Sequence, residues 1–150
     1  MNIRTMTLKD REVWAEMRSS LWPEFDEDHT PELDKYFAGQ SRDVTEAFIA
    51  EVDGQAAGFI ELNIRNYAEG SHEPAVPYVE AWYVASEFRG QGLGKQLMAR
   101  AEQWALERGY IELASDTDEW NAYSIEQHTK LGFKETGRVV CFLKTLTKKP

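Results

Sequence analysis

The chain has 150 residues, 42% of them hydrophobic and 29% charged, and a formal net charge of −9. This composition, with five Trp residues, favours a single globular domain over 1–150 and excludes a disordered chain. The lone cysteine, Cys141, excludes an internal disulfide framework and a CxxC metal site. We expect a cytoplasmic protein, because no secretory signal opens the sequence and no run approaches the about 18 apolar residues of a membrane span.

The first half of the sequence predicts a strand, two helices and a hairpin, in that order. Apolar residues recur at helical spacing after Thr7, Pro23 ends that run, and Asp53-Gly54 is a strong hairpin turn signal. The predicted elements are a strand over 1–6, a helix from Thr7 to about Trp22, a helix capped by Thr30 and running to Gly39, and strands over 48–52 and 57–64.

The second half predicts strands that alternate with helices, each helix closed by a glycine. The predicted elements are a strand over 78–85, a helix from Leu93 to Gly109, a strand over 111–115, a helix over 121–131 closed by Gly132, and a strand over 139–146. We expect Cys141 to be packed within the last strand. The element order predicts an α/β or α+β fold, a mixed sheet with helices on its faces.

A glycine-rich turn, RGQGLG at 89–94, lies between an apolar strand and an amphipathic helix. Glycine lets the backbone approach a ligand closely, and the amides at the start of a helix attract anions. Arg89 and Lys95 add positive charge at the same place. The turn therefore predicts a pyrophosphate site, with a ligand-free glycine turn as the alternative.

Spacing excludes several other chemistries. The glycines follow G-x-G-x-G, whereas dinucleotide-binding folds use G-x-G-x-x-G, and a Walker loop needs Ser or Thr in place of Gln96. The three histidines lack the spacing of metal ligands, so we expect no metal. The G-x-S-x-G signature of a serine nucleophile is absent from the sequence.

The turn matches the R/Q-x-x-G-x-G/A motif of the GCN5-related N-acetyltransferases, the GNAT superfamily. Downstream, a helix that begins at Asn121 and ends in Lys130-Leu131-Gly132-Phe133 resembles that family's N-x-x-A…Y-x-K-x-G-F pattern. The first strand, the first two helices and the hairpin agree with the family, so the resemblance spans nearly the whole chain. It implies the GNAT fold, a mixed and mostly antiparallel central sheet flanked by helices, with acetyl-CoA as co-substrate and no metal.

The same resemblance implies where acetyl-CoA binds. Its pyrophosphate would lie on the glycine-rich turn, and its pantetheine arm would pair with the edge of the preceding strand. The backbone N–H of Val84 would hold the oxyanion formed from the thioester, and Asn121 would hydrogen-bond the pantetheine arm or thiol end. The cofactor-binding residues implied are Trp82, Tyr83, Val84, Arg89, Gly90, Gln91, Gly92, Leu93, Gly94, Lys95 and Asn121.

A narrower resemblance is to the aminoglycoside 6′-N-acetyltransferases. The residues that carry it are Leu21-Trp22-Pro23, Tyr67 ahead of Gly70, Glu80, and Ala114-Ser115-Asp116. It implies that Trp22, Tyr67, Glu80 and Asp116 line the acceptor site, where the two aromatic rings can stack on a sugar or contact its ammonium groups. Trp22 is also a plausible core residue. The sequence departs from some relatives at Gly137, where an acidic acceptor-site residue can stand.

The acceptor must attack as a neutral amine, so a carboxylate is expected to take its proton, directly or through a water. Asp116, just after a predicted strand, is the first choice and Glu80 the second. The alternatives are a turn-capping role for Asp116 and a surface charge for Glu80. His128 stands where many family members have the Tyr that protonates the leaving thiolate, and its alternative is a capping or solvated histidine.

The charge is unevenly distributed: 1–80 holds 7 basic and 17 acidic residues, whereas 81–150 holds 10 basic and 9 acidic residues. The near-neutral half suits the anionic cofactor and the acidic half a polycation, with a solvated acidic face as the alternative. The resemblance, which this charge distribution supports, implies an aminoglycoside 6′-N-acetyltransferase that confers antibiotic resistance and, as relatives often do, forms a homodimer, with no nucleic-acid or membrane partner. The alternatives are an acetyltransferase of another amine, such as a polyamine or a peptide N-terminus, and a module that senses acyl-CoA without turnover.

Overall fold

The computed structural model of the protein describes residues 1–148. Internal contacts divide the chain into two compact units, Met1–Asp116 and the residues from Thr117 onward. The first unit contains β1 (Asn2–Thr5), α1 (Arg11–Leu21), α2 (Thr30–Phe37), β2 (Glu46–Val52), β3 (Gln55–Arg65), β4 (Val76–Val84), α3 (Leu93–Glu107) and β5 (Ala114–Ser115). The second unit contains α4 (Ala122–Lys130).

The five strands form one sheet in the order β1-β2-β3-β4-β5. The first three pairings are antiparallel, and only β4 and β5 run parallel. The β2–β3 hairpin turns at Asp53 and Gly54, whose φ angles of 50° and 78° are the left-handed pair that a two-residue hairpin turn requires. The predicted hairpin and the mixed, mostly antiparallel sheet are confirmed.

Helices cover both faces of this sheet. Trp14 of α1 and Leu33 of α2 pack with Ile49 of β2 in one buried cluster. Phe48, the preceding residue of β2, points to the other face, where the guanidinium of Arg100 on α3 lies 4.3 Å from its ring centre. The buried face of α3 consists of Leu93, Leu97, Met98, Ala101, Trp104 and Ala105. Strand alternation and helical spacing in the sequence thus produce a three-layer core.

The start of α2 differs from the prediction. Thr30 is the first helical residue and not the cap, and its backbone N and Oγ1 both donate to Asp28 Oδ1 at 3.0 and 2.7 Å. His29 is the N-cap and makes no side-chain capping bond, so Asp28, one residue earlier, supplies the acceptor for the first amide of the helix, where a carboxylate is favoured.

The two strands predicted nearest the C-terminus differ from the structure. The strand expected over 111–115 is reduced to Ala114–Ser115, and Ile111 is exposed. The strand expected over 139–146 is wrong, since no residue of this segment lies in a strand. Cys141 is exposed, so its predicted packing is also wrong. An alternating apolar segment becomes a strand only where another strand pairs with it, and none does so within residues 1–148.

Candidate active site

Glu80 lies at a break in the register of the central strands. Glu61 of β3 pairs with Ala81 and Leu62 pairs with Val79, so Glu80 has no opposite residue on β3. This is a β-bulge, which twists the strand locally and re-aims the side chain that it carries. The bulge explains why a carboxylate is tolerated in the middle of an otherwise apolar strand.

The Glu80 carboxylate is held by two side chains of β3. Arg65 donates from Nε to Oε2 at 2.8 Å and from Nη2 to Oε1 at 2.5 Å, and Asn63 Nδ2 donates to Oε2 at 3.1 Å. Thr45 Oγ1 in turn donates to Asn63 Oδ1 at 3.1 Å, which fixes the orientation of the amide. The planar guanidinium fork matches a carboxylate edge, so this pair is well ordered.

Asp116 lies one position beyond β5. Tyr78 pairs with Ala114 and Val79 with Ser115, so Asp116 directly follows the last paired residue of β5. The Tyr78 hydroxyl donates to Asp116 Oδ2 at 2.7 Å. Burial, and then the hydrogen bond to that carboxylate, raise the pKa of Tyr78 well above its usual range, so the phenol keeps its proton.

A cavity of about 340 Å³ opens beside Glu80. Its lining includes five carboxylates, two arginines, one histidine and one tryptophan, namely Glu27, Glu32, Asp43, Glu61, Glu80, Arg18, Arg65, His29 and Trp22. The excess of carboxylates makes the cavity attractive to cations.

The back of the cavity is a buried ion pair. Glu61 is 1% exposed and accepts hydrogen bonds from Trp14 Nε1 at 2.9 Å and from Arg18 Nε and Nη2 at 2.7 and 2.8 Å. Arg18 also donates from Nη1 to Glu32 at 2.8 Å. A buried charge needs this number of partners to offset its desolvation. The pair is therefore a fixed wall of the cavity.

The predicted aromatic residues of the acceptor site occupy different environments. Trp22 lines the cavity, and its ring centre lies 5.4 Å from the Arg18 guanidinium and 5.9 Å from the ring of His29. Tyr67 is 62% exposed, after the end of β3, and is not among the residues that line the cavity. A hydrogen bond to Glu69 raises the pKa of Tyr67.

The glycine-rich turn lies between β4 and α3, as predicted. Gly90 and Gly92 have φ angles of 81° and 80°, in the left-handed region that glycine adopts without strain. Gly94 instead lies in α3 against the indole of Trp82, whose Nε1 donates to the Gly94 carbonyl at 3.0 Å. The first amides of α3 have no partner within the helix, and amides in this position favour anions.

The edge of β4 beyond β5 offers backbone groups to a ligand. β5 pairs with β4 only at Tyr78 and Val79 among the described residues. Ala85 N donates to the Ala57 carbonyl at 2.8 Å, so strand alternation turns the N–H and C=O groups of Val84 away from β3. Arg89 Nε donates to the Val84 carbonyl at 3.0 Å, in agreement with that orientation.

Two predicted site residues lie on the second unit. Asn121 is the N-cap of α4, and its side chain accepts from Ser124 N at 3.1 Å, which leaves its amide nitrogen as a donor. His128 Nδ1 lies 2.7 Å from the Ser124 carbonyl, and its ring meets Phe133 edge to face at 5.2 Å. Because a carbonyl only accepts, Nδ1 carries a proton, and a neutral His128 then has its lone pair on Nε2.

Sequence reasoning missed three residues that the structure brings to this region. Arg65 and Tyr78 hold the two candidate bases, and His29 is 3% exposed in the cavity wall. No motif marks these residues, because their roles depend on strand register. Within residues 1–148 no group of three or more metal-ligating side chains comes together, and no helix is both long and apolar enough to cross a membrane.

Comparison with known proteins defines the class. The model of the acetyltransferase (GNAT) family matches residues 14–133. The chain belongs to this family of acetyltransferases, as its glycine-rich turn and mixed sheet led us to expect.

Two similar relatives share one description. The aminoglycoside N(6′)-acetyltransferase type 1 of Klebsiella aerogenes is 39% identical over 146 residues, 96% of each chain. The enzyme of the same name from Salmonella enteritidis is 36% identical over 96% of this chain and 99% of its own length.

Solved structures agree with these relatives. AAC(6′)-Iy in complex with the bisubstrate analogue CoA-S-monomethyl-acetylneamine has a TM-score of 0.86 and 35% identity, over 97% of this chain and 98% of its own. The apo aminoglycoside 6′-N-acetyltransferase AAC(6′)-IG of Acinetobacter haemolyticus has a TM-score of 0.87 and 32% identity, over 98% and 100%.

Proposed function

We propose that this protein transfers the acetyl group of acetyl-CoA to the 6′-amine of aminoglycosides, and so confers resistance to them. The observation that carries the proposal is the carboxylate-lined cavity beside the bulged Glu80, with Trp22 in its wall. An aminoglycoside is a polycation with sugar rings, which suits both features. Relatives that match 96% of this chain and are named for this reaction support the choice of acceptor.

Acetyl-CoA fits the turn and the β4 edge. The pyrophosphate is assigned to the amides at the start of α3, with Arg89 and Lys95 beside them. The left-handed Gly90 and Gly92 allow the tight path of this turn. The turn residues assigned to the cofactor are Arg89, Gly90, Gln91, Gly92, Leu93, Gly94 and Lys95. The acetyl-thioester supplies the acyl group, and this turn anchors the other end of the molecule.

The pantetheine arm is assigned to the edge of β4 where β5 no longer pairs. Strand alternation presents the backbone of Trp82 and Val84 at this edge, while Tyr83 between them has its amide toward β3. The N–H of Val84 is the donor that we assign to the developing oxyanion. Asn121, which keeps a donor after capping α4, is assigned to the thiol end of the arm on the family resemblance.

The acetyl-transfer reaction determines which protons must move. The acceptor nitrogen attacks the thioester carbon, the C–S bond breaks, and the ammonium proton leaves. We assign that proton to Asp116 first and to Glu80 second, because Glu80 is already engaged by Arg65. We assign protonation of the leaving thiolate to His128, which can act as an acid only as an imidazolium when Nδ1 is held by a carbonyl. Trp22 and Glu80 line the cavity and are assigned to the acceptor site from their position, whereas Tyr67 and Asp116 do not line it and are assigned to that site on the family resemblance.

A screen of acceptors tests this function. Purified protein is mixed with acetyl-CoA and release of free thiol is followed with each acceptor in turn. We expect turnover with an aminoglycoside that bears a 6′-amine and none with its 6′-hydroxyl analogue, and mass spectrometry should show one acetyl group on the product. Faster turnover with a polyamine or a peptide N-terminus would show that this other amine, and not the aminoglycoside, is the acceptor. Binding of acetyl-CoA without any turnover would favour a sensor of acyl-CoA.

We further propose that the protein is a cytoplasmic homodimer. Each copy forms one acetyltransferase domain over 1–150. The family model runs across the boundary between the two compact units, which supports one domain. Phe142 and Leu143 are 92% and 97% exposed in a segment with strand-like sequence, a surface that a second copy would cover. One cysteine suits a reducing compartment, and the net charge of −9 disfavours nucleic acid and anionic membranes. Sedimentation of the purified protein tests the dimer.

A further inference from the structure

Arg65 holds a positive charge in a cavity that is otherwise rich in carboxylates. Its fork donates to both oxygens of Glu80 at 2.8 and 2.5 Å, and its guanidinium carbon lies 3.6 Å from the centre of the Tyr78 ring. The Arg65 side chain keeps 39% of its exposure, so ligands as well as water can reach the pair. Arg18, the other arginine of the cavity, is 4% exposed and fixed on Glu61.

We propose that Arg65 is a specificity-determining residue that occupies Glu80 in place of an ammonium group of the acceptor, which must displace it. The inference rests on the proposed function, since it takes the acceptor to be a cation. Glu80 accepts two hydrogen bonds from Arg65 and one from Asn63, which occupy three of the about four lone-pair sites of a carboxylate, so an ammonium group that donates more than one bond to Glu80 must displace Arg65.

The geometry supports displacement without loss of the arginine from the cavity. The face of Tyr78 is a second contact for the guanidinium, and it remains when the bonds to Glu80 break. Tyr78 is itself anchored through its hydroxyl to Asp116. Arg65 can therefore release Glu80 while its charge stays partly stabilised on the ring.

The consequence is that an acceptor needs attractive interactions beyond the one with Glu80 to offset the displacement of Arg65. A polycation gains further attraction from exposed carboxylates at the cavity, Glu27, Glu32 and Asp43, and can offset the exchange at Glu80. A monoamine that reaches only Glu80 exchanges one ion pair for another and gains little. The internal cation thus favours acceptors with several ammonium groups.

The test is the variant Arg65→Met, which keeps most of the length of the side chain and removes its charge. We expect KM for the aminoglycoside to fall by about fivefold, the change that corresponds to one solvent-exposed ion pair, while kcat changes by less than about twofold. When Glu80→Gln is already present, adding Arg65→Met should no longer lower KM for the aminoglycoside. A fall in KM is informative because damage to the fold raises KM or lowers kcat.

A matched control removes the same charge elsewhere. Arg11 donates a fork of the same kind to Asp34, from Nε at 2.6 Å and Nη2 at 3.0 Å, and does not line the cavity. Arg11→Met should leave KM within about twofold of wild type; an equal fall there would show that net charge alone acts and would overturn the proposal.

Two other results would also overturn it. One is an unchanged or raised KM in a folded Arg65→Met protein, judged by its melting temperature. The other is an unchanged KM in Arg65→Gln, the variant that substitutes if Arg65→Met does not fold. Absence of turnover by the wild-type protein would remove the proposed function, and this inference with it, whereas turnover with an unaltered KM in the variants removes this inference alone.

Discussion

Asp116→Asn separates a base from an electrostatic anchor. The Tyr78 hydroxyl donates to Asp116 Oδ2 at 2.7 Å, and an Asn carbonyl oxygen can accept the same bond. The substitution therefore removes the charge and the basicity but keeps the local geometry. If Asp116 takes the proton, kcat should fall by about 10²–10⁴-fold, whereas the affinity for acetyl-CoA should stay within about twofold.

Two companion variants define the scale of that effect. Tyr78→Phe removes the donor to Asp116 and leaves the carboxylate, so the loss should stay near the about 0.5–1.5 kcal/mol of one hydrogen bond, below about tenfold in kcat. Glu80→Gln keeps an acceptor for the Arg65 fork but removes an anion from the cavity. Its effect should lie mainly in KM for the acceptor, because the charge attracts a cation before reaction.

The assay is steady-state thiol release for each variant, with calorimetry for acetyl-CoA. The assignment of Asp116 would be refuted if Asp116→Asn kept kcat within about tenfold of wild type and raised only KM for the acceptor. Asp116 would then be an anchor for an ammonium group, and Glu80 or an ordered water would take the proton. A large kcat loss in Glu80→Gln with little loss in Asp116→Asn would reverse the two roles.

Three further predictions test the turn, the fold and the cavity. Gly92→Val should weaken acetyl-CoA binding by at least about tenfold in calorimetry, because Gly92 has φ +80° and a branched residue there, strained by about 1–3 kcal/mol, relaxes by moving the turn out of the conformation that binds the pyrophosphate; an unchanged Kd would remove the turn from the cofactor site. The hydrogen bonds from Arg4 lower the pKa of Asp10 from 3.8 to about 2, so this carboxylate should stabilise the fold above pH 3.8, by about 1 kcal/mol once solvent screening is allowed for, and lose that contribution as pH falls toward 2; urea unfolding of wild type and Asp10→Asn across this range should show the difference shrink. KM for the aminoglycoside should rise with added salt, and Glu27→Gln with Asp43→Asn should flatten that slope, whereas equal slopes for the aminoglycoside and a monoamine would make the acidic half a solvated face.

The elements that the sequence predicts best are those with a local conformational requirement. Asp53 and Gly54 both have positive φ, as a two-residue hairpin turn demands, and Gly109 has φ 84° where α3 ends. The glycine-rich turn is of the same kind, since its spacing alone indicates where the backbone leaves β4 and enters α3. A few neighbouring residues determine each of these features, so a reading along the chain finds them.

The rest of the site depends on pairing between distant residues. The bulge at Glu80 arises from the register of β4 against Glu61 and Leu62, and nothing within β4 indicates it. Arg65 meets Glu80 across that register, 15 positions apart. Apolar alternation also overstated strand content near the C-terminus, because a pattern shows that a segment can pair and not whether a partner strand is present. His29 is buried although no periodic pattern includes it.

The structure shows which carboxylates of the acidic half are paired with basic residues, which the charge asymmetry of the sequence does not. Four of the seven basic residues in 1–80 form ion pairs with carboxylates of the same half: Arg4, Arg11, Arg18 and Arg65. Pairing leaves the net charge unaltered but decides which carboxylates a ligand meets. Glu61 is 1% exposed and accepts three hydrogen bonds, so replacing its donors has a high free-energy cost. Glu80 is instead paired with an arginine that solvent reaches. A cation attracted by exposed Glu27 and Asp43 therefore finds one inner carboxylate, Glu80, whose partner it can replace.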